Sequence, residues 1–256
     1  MTAALWLALC AAQPPLRPLA APDLDTPVLA LRFAGEHELV ALSPNAVSLF
    51  RLDGRRLRLA ARRAVAPEGP AVRFPAGLLH SEPGARSVWA LASGWPSALL
   101  LDLDAGLGIR SEADAMPWSG TPAGVRFRPG TSLIEAEVPG LGPAPFLALT
   151  SGAALDGRAR LHRSHGPPVA VPVGTPLARL PGAGLLAGSA APASAPDALL
   201  FLPDAAAEPC EVRGDLPGAL RALAVARRGE ASLIGVLALE GSAGTGLFAL
   251  ALGTSP

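Results

Sequence analysis

The 256-residue chain has no lysine, no tyrosine and only two cysteines, Cys10 and Cys210. All 21 basic residues are therefore arginine. Without lysine there is no Walker A lysine, no Schiff-base lysine and no Ser–Lys dyad. Aromatic residues make up 4% of the chain, too few to interleave with arginine as a base-stacking platform. The formal net charge of +0 removes any global pull towards nucleic acid. No Gly-x-Ser-x-Gly nucleophile elbow occurs. The longest apolar run after the N-terminus, Ser232 to Leu239, stops at Glu240 and is too short to span a bilayer.

What is abundant points elsewhere. Glycine and proline number 28 each, and half of the residues are hydrophobic. That is too many breakers for a helical bundle, while the apolar runs recur too regularly for a disordered chain. Residues 1–12, MTAALWLALCAA, form a short apolar run ending in small residues. They predict a signal peptide cleaved near Ala12, and hence a periplasmic or extracellular protein. Leu-Ala-Leu-Cys10 loosely resembles a lipoprotein anchor site, but Leu9 stands where a small residue is expected, so plain export is the favoured reading. With Cys10 removed, Cys210 has no intrachain partner and is predicted to be a small, buried, free residue. Residues 13–27 are Pro-rich and predict a linker or a ring-closing edge segment.

From residue 28 the chain becomes periodic. Val28 to Phe33, Glu38 to Leu42 and Ala46 to Leu52 are short apolar runs, followed by Asp53-Gly54 and then RRLRLA. An Asp-Gly pair between apolar runs predicts a β-hairpin with both turn positions at positive φ. The phrase returns as SALLLDLDAG, AALDGR, ALLFLPD and GLFALALG. Its marker aspartates are Asp53, Asp104, Asp156 and Asp204, and Gly253 falls about one period later. Upstream of the markers stand ELVALSPN, SVWALASGW, PFLALTSG and IGVLALEG. Self-similarity at this spacing is the signature of a repeat architecture. About four short strands fit each period, which is the content of one propeller blade. The expected fold is all-β: a five-bladed β-propeller over residues 28–253, with about four short antiparallel strands per blade. The last blade lacks a fourth strand, which residues 16–27 are placed to supply. The competing architecture is two β-sandwiches dividing near residues 115–125.

The runs around Asp53, Asp104 and Asp156, with phrases such as LVALSPNAVSLFRLDGRRLRL, resemble secreted bacterial propellers of the FG-GAP/VCBS or quinoprotein-like kind. The resemblance implies a binding platform in the periplasm or at the cell surface. The nearest approach to an FG-GAP calcium loop, Leu101 to Gly106, lacks the third acidic ligand, so neither a metal nor a cofactor is expected.

The candidate chemistry is sparse. His162 and His165 have a metal-like spacing but no third ligand nearby, and loop residues are the simpler reading. His37 reads as an exposed turn residue. Ser43, Ser93 and Ser151 occupy related positions after strand ends, where a hydroxyl bonds the local backbone. Gly182, Gly184 and Gly188 mimic a dinucleotide fingerprint with the wrong final spacing, and read as a flexible blade loop. Asp102 and Asp104 share a strand face without a defined groove. Two features point to partner binding: Trp95, in the turn Ser93-Gly94-Trp95-Pro96, and the basic run containing Arg55, Arg56 and Arg58. The expected function is a non-enzymatic exported propeller that binds a protein or polysaccharide of the cell envelope. The alternative is a propeller hydrolase or lyase whose carboxylates or histidines gather in the central funnel.

Overall fold

A computed structural model describes Cys10 and residues 13–252, apart from 70, 83, 119–120, 139–141, 151–152, 164–166, 172, 181–183, 190–196, 205–207, 229–231 and 243. Residues 1–9 and 11–12, Ser151, His165, Gly182 and Gly253 lie outside the described residues.

The chain is all-β, built from antiparallel meanders. After β1 (Leu16–Leu19) come β2 (Ala30–Phe33), β3 (Glu38–Ser43), β4 (Ala46–Asp53) and β5 (Arg56–Ala64), a four-stranded first sheet. The second sheet holds β6 (Gly77–His80), β7 (Ser87–Ala92), β8 (Ala98–Asp102) and β9 (Gly108–Ala113). The third is seven-stranded: β10 (Met116–Trp118), β11 (Thr121–Phe127), β12 (Ile134–Val138), β13 (Gly142–Thr150), β14 (Ala153–Asp156), β15 (Arg160–Arg163) and β16 (Val169–Ala170). The fourth holds β17 (Val173–Leu180), β18 (Gly184–Ser189), β19 (Leu199–Pro203) and β20 (Cys210–Arg213). The fifth holds β21 (Ala219–Arg228), β22 (Ser232–Gly241) and β23 (Gly244–Ala251), with β1 antiparallel to β23 as its outer strand.

The sheets close on themselves. β2 packs on β6, β7 on β10, β13 on β17, β17 on β21, and β21 back on β2. This is a propeller arrangement with four four-stranded blades. The expected five equivalent blades are corrected, because residues 116–170 form one seven-stranded sheet. The division near residues 115–125 is overturned by the same strands. Met116 and Val125 are paired across β10 and β11, and both are fully buried in the core shared with the second sheet. The Pro and Gly in MPW and TPAGVRF read locally as breakers, and only the tertiary pairing makes them sheet.

Burial explains the strand sequences. The core lies between neighbouring sheets all round the ring, so each sheet is covered on both faces. Central strands are therefore nearly continuous apolar runs, such as LVALS in β3 and LLAG in β18. The outermost strand β5 has solvent on most of its length and carries arginines instead. Polar bonds then tie neighbours together. Arg32 Nε donates to Ser81 Oγ at 2.7 Å, Trp95 Nε1 to the Pro44 carbonyl at 2.7 Å, and the Leu220 amide to Asp197 Oδ2 at 2.7 Å.

The hairpin after β4 differs in detail from its expected form. Asp53 pairs with Arg56, so the central residues are Gly54 and Arg55, and only Gly54 has positive φ, at +59°. Glycine at the first central position is the pattern of a II′ turn. Two further expectations are corrected. Gly184 and Gly188 lie on the buried strand β18, not in a flexible loop. Cys210 is not free, since it forms a disulfide with Cys10.

Candidate functional site: the axial channel

The innermost strands surround a channel of about 600 Å³. Its lining comes from Pro27–Leu31 before and along β2, Arg73–Leu79 before and along β6, Leu147–Leu149 of β13, Thr175–Leu177 of β17 and Leu220–Leu223 of β21. The first residues of β2 and β6, Ala30 and Gly77, both contribute.

Most of this lining is aliphatic or backbone. Such strands are chosen for packing against both neighbouring sheets, which leaves few polar side chains on the axis. The polar exceptions are few. Arg221 Nε bonds the Glu240 carboxylate, which neutralises both groups. Arg73 carries its guanidinium 5.1 Å from the Phe74 ring centroid, in cation–π range. Phe74 is 68% exposed and Leu147 40% exposed. These are the two most exposed large hydrophobic side chains among the described residues, and both line the same channel. Large exposed apolar groups that line one channel mark a contact surface more strongly than scattered ones.

The second polar cluster lies inside the third sheet. Asp156 ends β14, and its carboxylate accepts from the Arg158 amide at 2.8 Å, the Arg160 amide at 3.0 Å, Arg160 Nε at 2.8 Å and His162 Nε2 at 2.9 Å. Burial pushes the carboxyl pKa up, but these hydrogen bonds outweigh it and hold the group well below the usual carboxylate range. Because the carboxylate only accepts, the bond places the proton of His162 on Nε2. His162 Nδ1 is buried with no hydrogen-bond partner, and the ring meets Phe146 edge-on at 5.5 Å. No nucleophile is bonded to this pair, so it acts as a rivet for the β14–β15 hairpin. The reading of His162 as a loop residue is corrected: it is a buried strand residue. Among the described residues no group of three or more His, Cys, Asp or Glu is arranged to hold a metal ion.

The sequence-predicted contact residues do not form one patch. Trp95 is only 8% exposed. It folds over the seam between the first two sheets, bonded to Pro44, and presents no free indole face. Arg55 sits in the β4–β5 turn, and Arg56 and Arg58 lie on β5, at the rim. Arg58 pairs with Asp53 at 3.2 Å and stands directly opposite Arg51. Pro44 and Arg55 flank opposite ends of the eight-residue β4, about 26 Å apart at the usual strand rise. Ser43 Oγ donates to the Ala46 carbonyl, as turn chemistry requires, whereas Ser93 Oγ accepts from the distant Ala76 amide before β6 and so ties the two neighbouring strands rather than its own turn. His37 is exposed in a bend. Phe74 and Arg73 were missed. Their one local signal is a lone aromatic in the Pro-flanked stretch AVRFPAG.

No family model matches the chain, and no curated protein matches it significantly. Solved structures are similar at low identity. One is BBS1N in complex with ARL6DN, soaked with lead (TM-score 0.45, 14% identity, 95% of this chain and 90% of that one). Another is Kluyveromyces lactis Hsv2 with loop 6CD replaced by a Gly-Ser linker (TM-score 0.37, 8% identity, 88% and 97%). A third is apo AztD from Citrobacter koseri (TM-score 0.31, 17% identity, 90% and 64%). All lie below a TM-score of 0.5, so the propeller arrangement rests on the sheet order and ring closure described above.

Proposed function

We propose that the protein is a non-enzymatic binding propeller of an oxidising compartment, the periplasm or the cell exterior, and that it holds a protein partner at the mouth of the axial channel. The observation that carries the reading is that Phe74 and Leu147, the two most exposed large apolar side chains among the described residues, both line the axial channel. Arg73 stands over the Phe74 ring with no carboxylate in ion-pair range among the described residues. An apolar anchor beside an unpaired cation fits a peptide segment with a hydrophobic side chain next to an acidic one. The Cys10–Cys210 disulfide supports the compartment, because such bonds persist where thiols are not kept reduced.

The competing reading is a hydrolase or lyase with a funnel active site. It needs carboxylates or histidines converging on the axis. The described lining contains one carboxylate, Glu240, and Arg221 already engages it.

Photo-crosslinking tests the proposal. A benzophenone amino acid replaces Phe74 in one variant and Leu59, on the outer strand β5, in another, and both are expressed in the producing cells. A discrete protein adduct at position 74 and none at position 59 is the expected result. Equal adducts at both positions, or none at 74, would overturn the site.

A further inference from the structure

We infer that Cys10 is neither removed with a leader nor lipidated, and that it serves as the covalent lock of a strap, Cys10 with residues 13–25, that closes the ring. Three separate contacts place this strap across consecutive sheets. At its start, Cys10 is bonded to Cys210 on β20 of the fourth sheet, with Cα atoms 5.9 Å apart, inside the normal range for a disulfide. Arg213 of the same strand reaches the carbonyls of Gln13 and Pro14 at 3.5 and 3.4 Å. Next, Leu16–Leu19 pairs residue by residue with Leu250–Leu247 of β23, in the fifth sheet. Finally, the Ala20 amide donates to the Arg55 carbonyl at 2.9 Å, and the Leu57 amide donates to Ala20 at 2.8 Å. Asp25 holds Arg62 at 2.7 Å and accepts from Ser48 at 3.3 Å, both in the first sheet.

The position of the strap gives it its role. The ring is continuous in sequence except at the seam where β21 of the last sheet meets β2 of the first. The strap crosses that seam on the outer side, and the disulfide ties its free end to the sheet before it. Chain residues 10 and 210 are 200 apart, so the bond encloses nearly the whole ring. Forming it joins the two Sγ atoms, releases two protons and passes two electrons to a disulfide-bearing oxidoreductase, whose own disulfide becomes two thiols. Cleavage after Ala12 would delete the lock, and acylation of Cys10 would consume it. The three fates exclude one another.

The test uses the full chain purified from producing cells without reductant. Thiol titration after unfolding is expected to find no free thiol, and N-terminal analysis to find Cys10 present. A chain that begins after Ala12, an acyl mass on Cys10, or two free thiols would each overturn the inference. Reduction is expected to lower the wild-type Tm by about 5–15 °C, to the value of Cys10→Ser, and to leave that variant unchanged. Amide exchange at Leu247–Leu250 is expected to quicken on reduction, since β1 is their outer partner. An unchanged Tm together with unchanged exchange would refute the locking role even if the bond is present.

Discussion

Replacing Asp156 removes the acceptor for four donors at once: two backbone amides, Arg160 Nε and His162 Nε2. Asp156 and His162 are buried, so water does not replace their partners, while the half-exposed Arg160 guanidinium can turn to solvent. In Asp156→Ala, His162 keeps no partner on either ring nitrogen, because Nδ1 already lacks one. Hydrogen bonds to a charged group are worth about 1.5–3 kcal/mol each, and their losses within one cluster do not add. The expected cost is about 3–5 kcal/mol, the range for breaking a buried charged pair. Asp156→Asn keeps one carbonyl acceptor for the turn amides, yet turns an NH₂ towards other donors, and is expected to recover only part of this. The sign with pH follows from the direction of the shift. A carboxyl held below its ordinary value in the folded state adds stability that is complete above the unfolded value, about 3.9. That stability is lost as pH falls through the folded value. The gap between wild type and Asp156→Ala should therefore be constant from pH 7 to about 5 and narrow steadily below about pH 4. Equilibrium denaturant unfolding at several pH values measures it. A gap under about 1 kcal/mol at pH 7, the worth of one ordinary hydrogen bond, or a gap that stays unchanged at low pH, would refute the role assigned to this cluster.

Other expectations follow from packing. A Cβ at Gly188 would lie 2.2 Å from the Thr175 carbonyl oxygen, so Gly188→Ala should cost about 1–3 kcal/mol through overpacking. Gly157 has nothing within 4 Å of that position, and Gly157→Ala should stay within about 0.5 kcal/mol in the same thermal melt. Trp95→Phe keeps much of the buried ring but leaves the Pro44 carbonyl without its indole donor, an expected loss of about 1–3 kcal/mol by chemical denaturation. Phe74→Ala removes a side chain that is mostly exposed, so its midpoint should hold within about 0.5 kcal/mol while affinity for the partner identified by crosslinking falls. A midpoint that falls with it would mean that Phe74 is part of the core.

Local chemistry made the strands and their hairpins legible from sequence alone. Runs such as LVALS and AVSLFRL are largely apolar because sheets cover both of their faces along most of their length. The marker aspartates recur because each stands at the same kind of hairpin. Asp53 closes β4, Asp104 lies between β8 and β9, Asp156 closes β14, and Asp204 follows β19. In one of these turns the reason is visible: the Asp156 carboxylate caps the amides that follow it, whereas after β8 the capping carboxylate is Asp102 and the marker Asp104 bonds Arg86. Turn chemistry acts over three or four residues, so it is written where it acts. The arginines of β5 are legible for the same reason, since an outer strand needs charge on its open side.

Distant pairing decided the rest. β10 and β11 look like loop because their Pro and Gly are local breakers, and the buried pairing of Met116 with Val125 outweighs that preference. His162 is buried only because Asp156, six residues earlier in sequence, supplies its partner across the hairpin. Trp95 is hidden because Pro44 of another sheet accepts its indole proton. The union of Cys10 with Cys210 spans 200 residues, and no spacing rule reaches that far. Phe74 becomes a candidate contact residue only when the ring places it, with Leu147, on the lining of one channel. Periodicity and turn residues determine which segments become strands and where they reverse. Which strands meet, and what they leave exposed on the axis, depends on burial energies summed over the closed ring, and those are properties of the assembled fold.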